Sequence, residues 1–109
     1  MNSKKNIFHL PPTSKEELFE TLLQNTERDI LIERIISTGQ TTPENEWYDQ
    51  TKSEWVVLLQ GKATLLFDDT DGETMKLKEG DSVFIAARRK HRVIYTSIEP
   101  PCIWLAVHF

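Results

Sequence analysis

Three side chains with oxygen donors, Asp49, Gln50 and Glu54, lead into a strand-forming run, Trp55 to Leu59, and Gln60-Gly61 then supplies a turn signal. A carboxylate opening a buried strand is costly unless something pairs with it, so Glu54 is the residue whose chemistry most needs a partner. A second concentration of ionisable groups lies at 88–92, where Arg88, Arg89, Lys90 and Arg92 surround His91. A carboxylate and an imidazole can hydrogen-bond each other or hold a metal between them. The chain has no G-x-G-x-x-G, G-x-x-x-x-G-K-[ST] or G-x-S-x-G motif, so phosphate-cradle and serine-hydrolase chemistry has no basis here.

The elements that must position these groups are short. Residues 1–13 are polar apart from Ile7, Phe8 and Leu10, which suit a short edge strand or a loose arm. Ser14, with Glu17 three residues on, reads as a capping box. Leu18, Phe19, Leu22 and Leu23 follow as a narrow apolar stripe, and together these signals predict a helix over 15–24. From Ile30 the pattern changes to β-branched residues, and ILIERII reads as a strand. Strands are then expected at 54–59, 63–67, 74–77, 82–86, 92–96 and 102–109. Turn signals separate them, and the strongest is Asp71-Gly72. Seven or eight short strands at about 8–12-residue spacing predict an all-β sandwich or barrel. No longer period repeats, so a solenoid is excluded.

Composition narrows the partners. The chain has 109 residues, 39% hydrophobic and 28% charged, which suits one folded domain with a single core. A net charge of −4 and the lack of a long basic run argue against nucleic acid. No apolar run reaches the ~18 residues of a membrane span, and the N-terminus lacks the apolar core of a secretory signal. The single cysteine, Cys102, allows no internal disulfide and no Cys-rich zinc site, and its expected state is buried and inert. A cytoplasmic location is the expectation.

Two spacings coincide with a known pattern. Glu54 is followed by six residues and then Gly61, and Gly80 is followed by Ala86 six residues on and His91 eleven residues on. This resembles the two motifs of the cupin superfamily, in particular its small single-domain, RmlC-like members without an assigned activity. The resemblance implies an all-β, cupin-type jelly-roll β-barrel. With the predicted short N-terminal α-helix, the arm and helix of residues 1–29 would pack on a barrel formed by 30–109. It also implies that Glu54 and His91 occupy the positions of the family's metal-binding glutamate and last metal-binding histidine. The family's paired histidines are absent. Depending on the spacer, their positions fall on Trp47 and Asp49 or on Tyr48 and Gln50. Ala86, Arg88 and Tyr95 replace the second motif's proline, glycine and asparagine.

Two readings of the site stay open. In one, Glu54 and His91 with Asp49 or Gln50 hold a divalent metal (Zn, Mn, Fe or Ni) that acts on a small polar substrate. In the other, Glu54 and His91 hydrogen-bond within a metal-free pocket, with Tyr48 or Tyr95 beside them. Alternation along a barrel strand puts Val56 and Leu58 on the face of Glu54, and Val93 and Tyr95 on that of His91. Arg88 and Arg92 are either an anion-recognising rim, for a small polar or anionic molecule, or a solvated corner. His108 shares a face with Ala106 and Trp104 and is a further candidate for the cavity. The open edges of a short barrel predict a homodimer.

Overall fold

The computed structural model describes residues 4–12 and 14–109. The fold is all-β, with eight strands: β1 Leu18–Asn25, β2 Ile30–Ser37, β3 Glu54–Gln60, β4 Ala63–Phe67, β5 Thr74–Leu77, β6 Ser82–Ile85, β7 His91–Thr96 and β8 Cys102–His108. They form a five-stranded sheet in the order β1-β2-β8-β3-β6 and a three-stranded sheet in the order β5-β4-β7. Every pairing is antiparallel. Between the sheets lies one apolar core, including Val56, Leu58, Leu65, Phe67, Leu77, Ile85, Trp104 and Ala106. From β2 onward the strands fall within a residue or two of the places that their β-branched runs and turn signals predict.

The expected N-terminal helix is not there: Leu18–Asn25 is a strand paired with β2. Its capping signal is used differently. Ser14 Oγ accepts a hydrogen bond from the Glu16 amide at 3.2 Å, a local turn with no helix after it. Glu17 does not fold back on the helix start; its carboxylate accepts the Ser37 hydroxyl. The spacing of Leu18, Phe19, Leu22 and Leu23 mimics a helical stripe because β1 carries a bulge. Thr21 pairs with Glu33 and Leu23 with Ile32, so Leu22 is an extra residue and the alternation changes phase there. The edge of β2 supplies a full ladder to this segment, and that long-range pairing overrides the local signal.

Two glycines carry turns whose backbone other residues resist. Gly61, between β3 and β4, has φ 91°, and a Cβ there would lie 2.7 Å from Ser97 Oγ and 3.0 Å from Cys102 Cα. Asp71-Gly72 has positive φ at both positions, 54° and 83°, and this is the turn that joins β4 to β5. Cys102 is fully buried at the start of β8, with its Sγ 3.2 Å from the Lys62 carbonyl.

The arm before β1 is anchored by one side chain of β2. Arg34 bonds both oxygens of Glu20 at 2.9 and 3.0 Å and donates to the carbonyls of Ile7 and His9 at 3.1 and 2.7 Å. The outer face of the five-stranded sheet also carries an apolar row. Leu23, Ile32, Val107, Trp55 and Phe84 are successive cross-strand partners from one edge to the other. Leu23 and Phe84 are more than half exposed. Replacing Arg34 by Lys removes the planar fork while keeping the charge. We expect Arg34→Lys to lower stability by roughly 1–2 kcal/mol in chemical denaturation. An unchanged midpoint would show that the arm contributes nothing to folding.

Candidate functional site

Register builds the site. On the inner face of the five-stranded sheet, Glu54 of β3 pairs directly with His108 of β8, and His108 with Leu31 of β2. Glu33 stands two residues from Leu31 on the same face, diagonal to His108, and the His108 imidazole meets its carboxylate at 2.8 Å. From the other sheet, His91 and Val93 of β7 and Leu65 of β4 face the same space, a cavity of about 70 Å³. The segment between β2 and β3 closes one side. Tyr48 exchanges two backbone hydrogen bonds with His91, at 2.8 and 3.1 Å, and their rings stack with centroids 5.4 Å apart.

The polar groups on these walls differ in how they are satisfied. Glu17 accepts from Ser37 Oγ, which in turn accepts from Trp104 Nε1 at 3.1 Å. Glu33 has His108. Glu54 is 6% exposed, and its carboxylate makes no side-chain hydrogen bond to a described residue. His91 is 5% exposed, and its Nδ1 lies 3.1 Å from the Arg89 carbonyl. A carbonyl only accepts, so Nδ1 carries the proton and the unpartnered Nε2 presents a lone pair. Gln50 Oε1 is buried without a partner.

Burial sets the protonation of these groups. Desolvation pushes the Glu54 carboxyl above its ordinary value of 4.5; the nearby Glu33 carboxylate adds to the shift, and His108 opposes it. Desolvation also raises Glu17, against the bond from Ser37. It lowers His91 below 6.5, so the imidazole is neutral at pH 7. The Tyr48 hydroxyl is held above 10.0 by burial and by the carboxylates of Glu17, Glu54 and Glu46.

Of the residues singled out in the sequence, Glu54, His91, Gln50 and Tyr48 line the cavity, and Asp49, Tyr95, Arg88 and Arg92 do not. Asp49 sits between two inward residues of an extended segment and so points outward, where it pairs with Arg88 at 2.9 Å. Tyr95 is half exposed because β7 has a bulge: Leu65 pairs with Val93 and Thr64 with Tyr95, so Ile94 is an extra residue and the face changes beyond it. Arg92 turns to the Thr42 carbonyl at 3.2 Å, with its guanidinium 5.8 Å from the Trp47 ring centre. Neighbouring Arg89 is bound bidentately by Asp69. Glu17 and Glu33 had no sequence signal as site residues. Glu33 was legible only as a polar residue interrupting an isoleucine-rich strand. His108 was legible from the alternation of β8.

Of the two frames expected for the missing histidines, the one that lines the cavity is Tyr48 and Gln50, and with Glu54 and His91 it offers a single imidazole and a single carboxylate. Among the described residues, no three His, Cys, Asp or Glu side chains come together in a group that could hold a metal ion.

Two facing antiparallel sheets with a polar cavity between them define a small β-barrel domain. Residues 34–108 match the family model described as the cupin domain, and the chain belongs to that family. It is similar to a crystal structure of a candidate mannose-6-phosphate isomerase from Ralstonia eutropha JMP134. The two are 34% identical with a TM-score of 0.89, over 98% of this chain and 97% of that one. An RmlC-like cupin from Methanocaldococcus jannaschii with a double-stranded β-helix fold shares the architecture at 17% identity and a TM-score of 0.68, covering 98% and 92%. So does the iron(II) form of HppE at 14% identity and a TM-score of 0.71, covering 92% of this chain and 55% of that one. No curated protein sequence matches the chain.

The raised Glu54 carboxyl has a stability consequence with a definite sign. Between 4.5 and its higher folded value, the native state holds a proton that the unfolded chain has released. The contribution of Glu54 to stability is therefore full below 4.5 and is lost as pH rises through that window. Glu54→Gln removes the ionisation while keeping the shape. We expect the melting temperature of Glu54→Gln to gain on wild type as pH rises above 4.5, and the gain to level off above the folded value. Parallel curves for the two proteins would show that the carboxyl is not perturbed.

Proposed function

We propose that this protein is a small-molecule-binding cupin whose cavity engages a small polar ligand through Glu54, His91 and the Glu33–His108 pair, without a resident metal. The observation that carries this reading is Glu54: a carboxylate buried in the barrel wall with no hydrogen-bond partner among the described residues. An unpaired buried carboxylate is costly, and a ligand that bonds to it offsets that cost. His91 Nε2 and Gln50 Oε1 are unpartnered in the same cavity. Glu54 and His91 come from opposing sheets, so a ligand between them would meet a carboxyl group and a neutral imidazole together.

A catalytic reading is favoured by that same pair. A carboxyl raised by burial and an imidazole lowered by it are brought closer in proton affinity, which suits moving a proton on a bound molecule. The similarity to a candidate mannose-6-phosphate isomerase fits proton transfer in general. It does not extend to the phosphate, because no Lys or Arg lines the cavity. A site for a doubly charged phosphate calls for such groups.

Metal content separates this proposal from metal dependence. In protein purified without an affinity tag or chelator, we expect less than about a tenth of an equivalent of Zn, Mn, Fe or Ni by mass spectrometry. One equivalent in wild type, lost in both Glu54→Ala and His91→Ala, would overturn the metal-free reading.

We also infer that two copies pair through the outer face of the five-stranded sheet. The support is the exposed row of Leu23, Trp55 and Phe84 with Phe109, whose ring centre lies 6.3 Å from that of Phe84. Sedimentation should give a dimer in wild type and a monomer in Trp55→Glu/Phe84→Glu. A monomeric wild type at high concentration would remove the inference.

A further inference from the structure

The cavity has an unequal supply of hydrogen-bonding groups. Three carboxylates line it, Glu17, Glu33 and Glu54, and no lysine or arginine does. The arginines near the barrel mouth are engaged elsewhere: Arg88 with Asp49, Arg89 with Asp69, and Arg92 with the Thr42 carbonyl. Within the cavity, Glu17 and Glu33 each have one donor, from Ser37 and from His108. Among the described residues the cavity groups without hydrogen-bond partners include three acceptors, beside the Tyr48 hydroxyl and the Gln50 amide NH2. The acceptors are the carboxylate of Glu54, a residue 6% exposed, the Nε2 lone pair of His91, a residue 5% exposed, and the buried Gln50 Oε1. His91 and Gln50 are not acidic, so their unmet demand for donors is independent of the carboxylate cluster.

We propose that the cavity takes the ammonium end of a small primary amine. This rests on the small-ligand reading above and names the class of that ligand. An ammonium brings three N–H donors and no acceptor. It can donate to Glu54, His91 Nε2 and Gln50 Oε1, and its charge is balanced by the surrounding carboxylates. The aromatic walls, Tyr48 and Trp104, present π systems that attract a cation and have no such attraction for an anion. A carboxylate or phosphate would meet acceptors and like charges with no lysine or arginine to offset them.

Size agrees with this class. A volume of about 70 Å³ admits a small group rather than a large one. An aminomethyl or aminoethyl group fits that space, and the rest of a larger amine would extend through the open mouth past Phe19, whose half-exposed ring lines the cavity at the sheet edge.

The test compares three probes of similar size at matched ionic strength: ethylammonium chloride, ethanol and sodium acetate. Binding is followed by amide and imidazole NMR shifts at Tyr48, Glu54, His91 and His108, beside shifts at surface residues. We expect ethylammonium alone to move the cavity resonances saturably, and Glu54→Gln to weaken it by about tenfold or more. In Asp49→Asn, which removes a carboxylate outside the cavity, the affinity should be unchanged. Acetate or ethanol binding as well as ethylammonium would overturn the amine inference while leaving a small-ligand cavity in place. So would saturation by manganese(II) with no response to ethylammonium. If none of the probes moved the cavity residues, the amine inference and the small-ligand reading would both fall. Unweakened ethylammonium binding in Glu54→Gln would sink the assignment to this cavity even if the protein bound the probe elsewhere.

Discussion

Pairing of β3 with β8 puts Glu54 opposite His108, and the polar half of the cavity depends on that register. A shift of one residue would turn Glu54 to solvent, along with Val56 and Leu58, because side chains alternate faces along a strand. The apolar residues hold the register: Val56, Leu58, Trp104 and Ala106 are all at most 5% exposed, and a slip would expose them together. The hydrophobic core thus fixes the position of a carboxylate that would be unfavourable there on its own. This division of labour is common in binding sites, where a well-packed scaffold sustains a few unsatisfied polar groups.

The same logic explains the second wall. His91 belongs to the smaller sheet, and its imidazole is oriented by a bond from Nδ1 to a backbone carbonyl two residues away and by the ring of Tyr48. Both restraints are local to β7 and the segment bridged to it. They hold with Tyr48 and Gln50, one of the two pairs expected to stand in place of the family's histidines, lining the cavity. Those replacements keep the inward-facing positions and change what they offer. An aromatic face and an amide stand where two imidazoles would ligate, and the result is a cavity rich in acceptors and carboxylates.

Two bulges decide which residues miss the site. In β1, an extra residue at Leu22 changes the facing of everything after it, and in β7 an extra residue at Ile94 turns Tyr95 out. Nothing in the residue types at these places announces the extra residue; it appears only when a partner strand is laid alongside. The helix expected at 15–24 failed for a related reason. Ser14, Glu17 and the leucines satisfy a local rule, but a segment beside an open β2 edge gains a full ladder of backbone hydrogen bonds by extending.

Much of the protein was legible in the amino-acid sequence itself. Alternating β-branched runs and turn dipeptides such as Asp71-Gly72 place the last seven strands, because alternation and positive-φ turns are local properties. The spacings from Glu54 to Gly61 and from Gly80 to His91 mark two residues that do face one cavity. Tertiary structure alone decided the rest. It chose between the two frames for the segment before β3, turning Tyr48 and Gln50 in and Asp49 out. It joined Glu33 to His108 across 75 positions of chain, and it brought Glu17 to the cavity by making β1 a strand. These are relations between strands far apart in sequence. They depend on register and bulges, which backbone pairing sets and no single strand's residues specify.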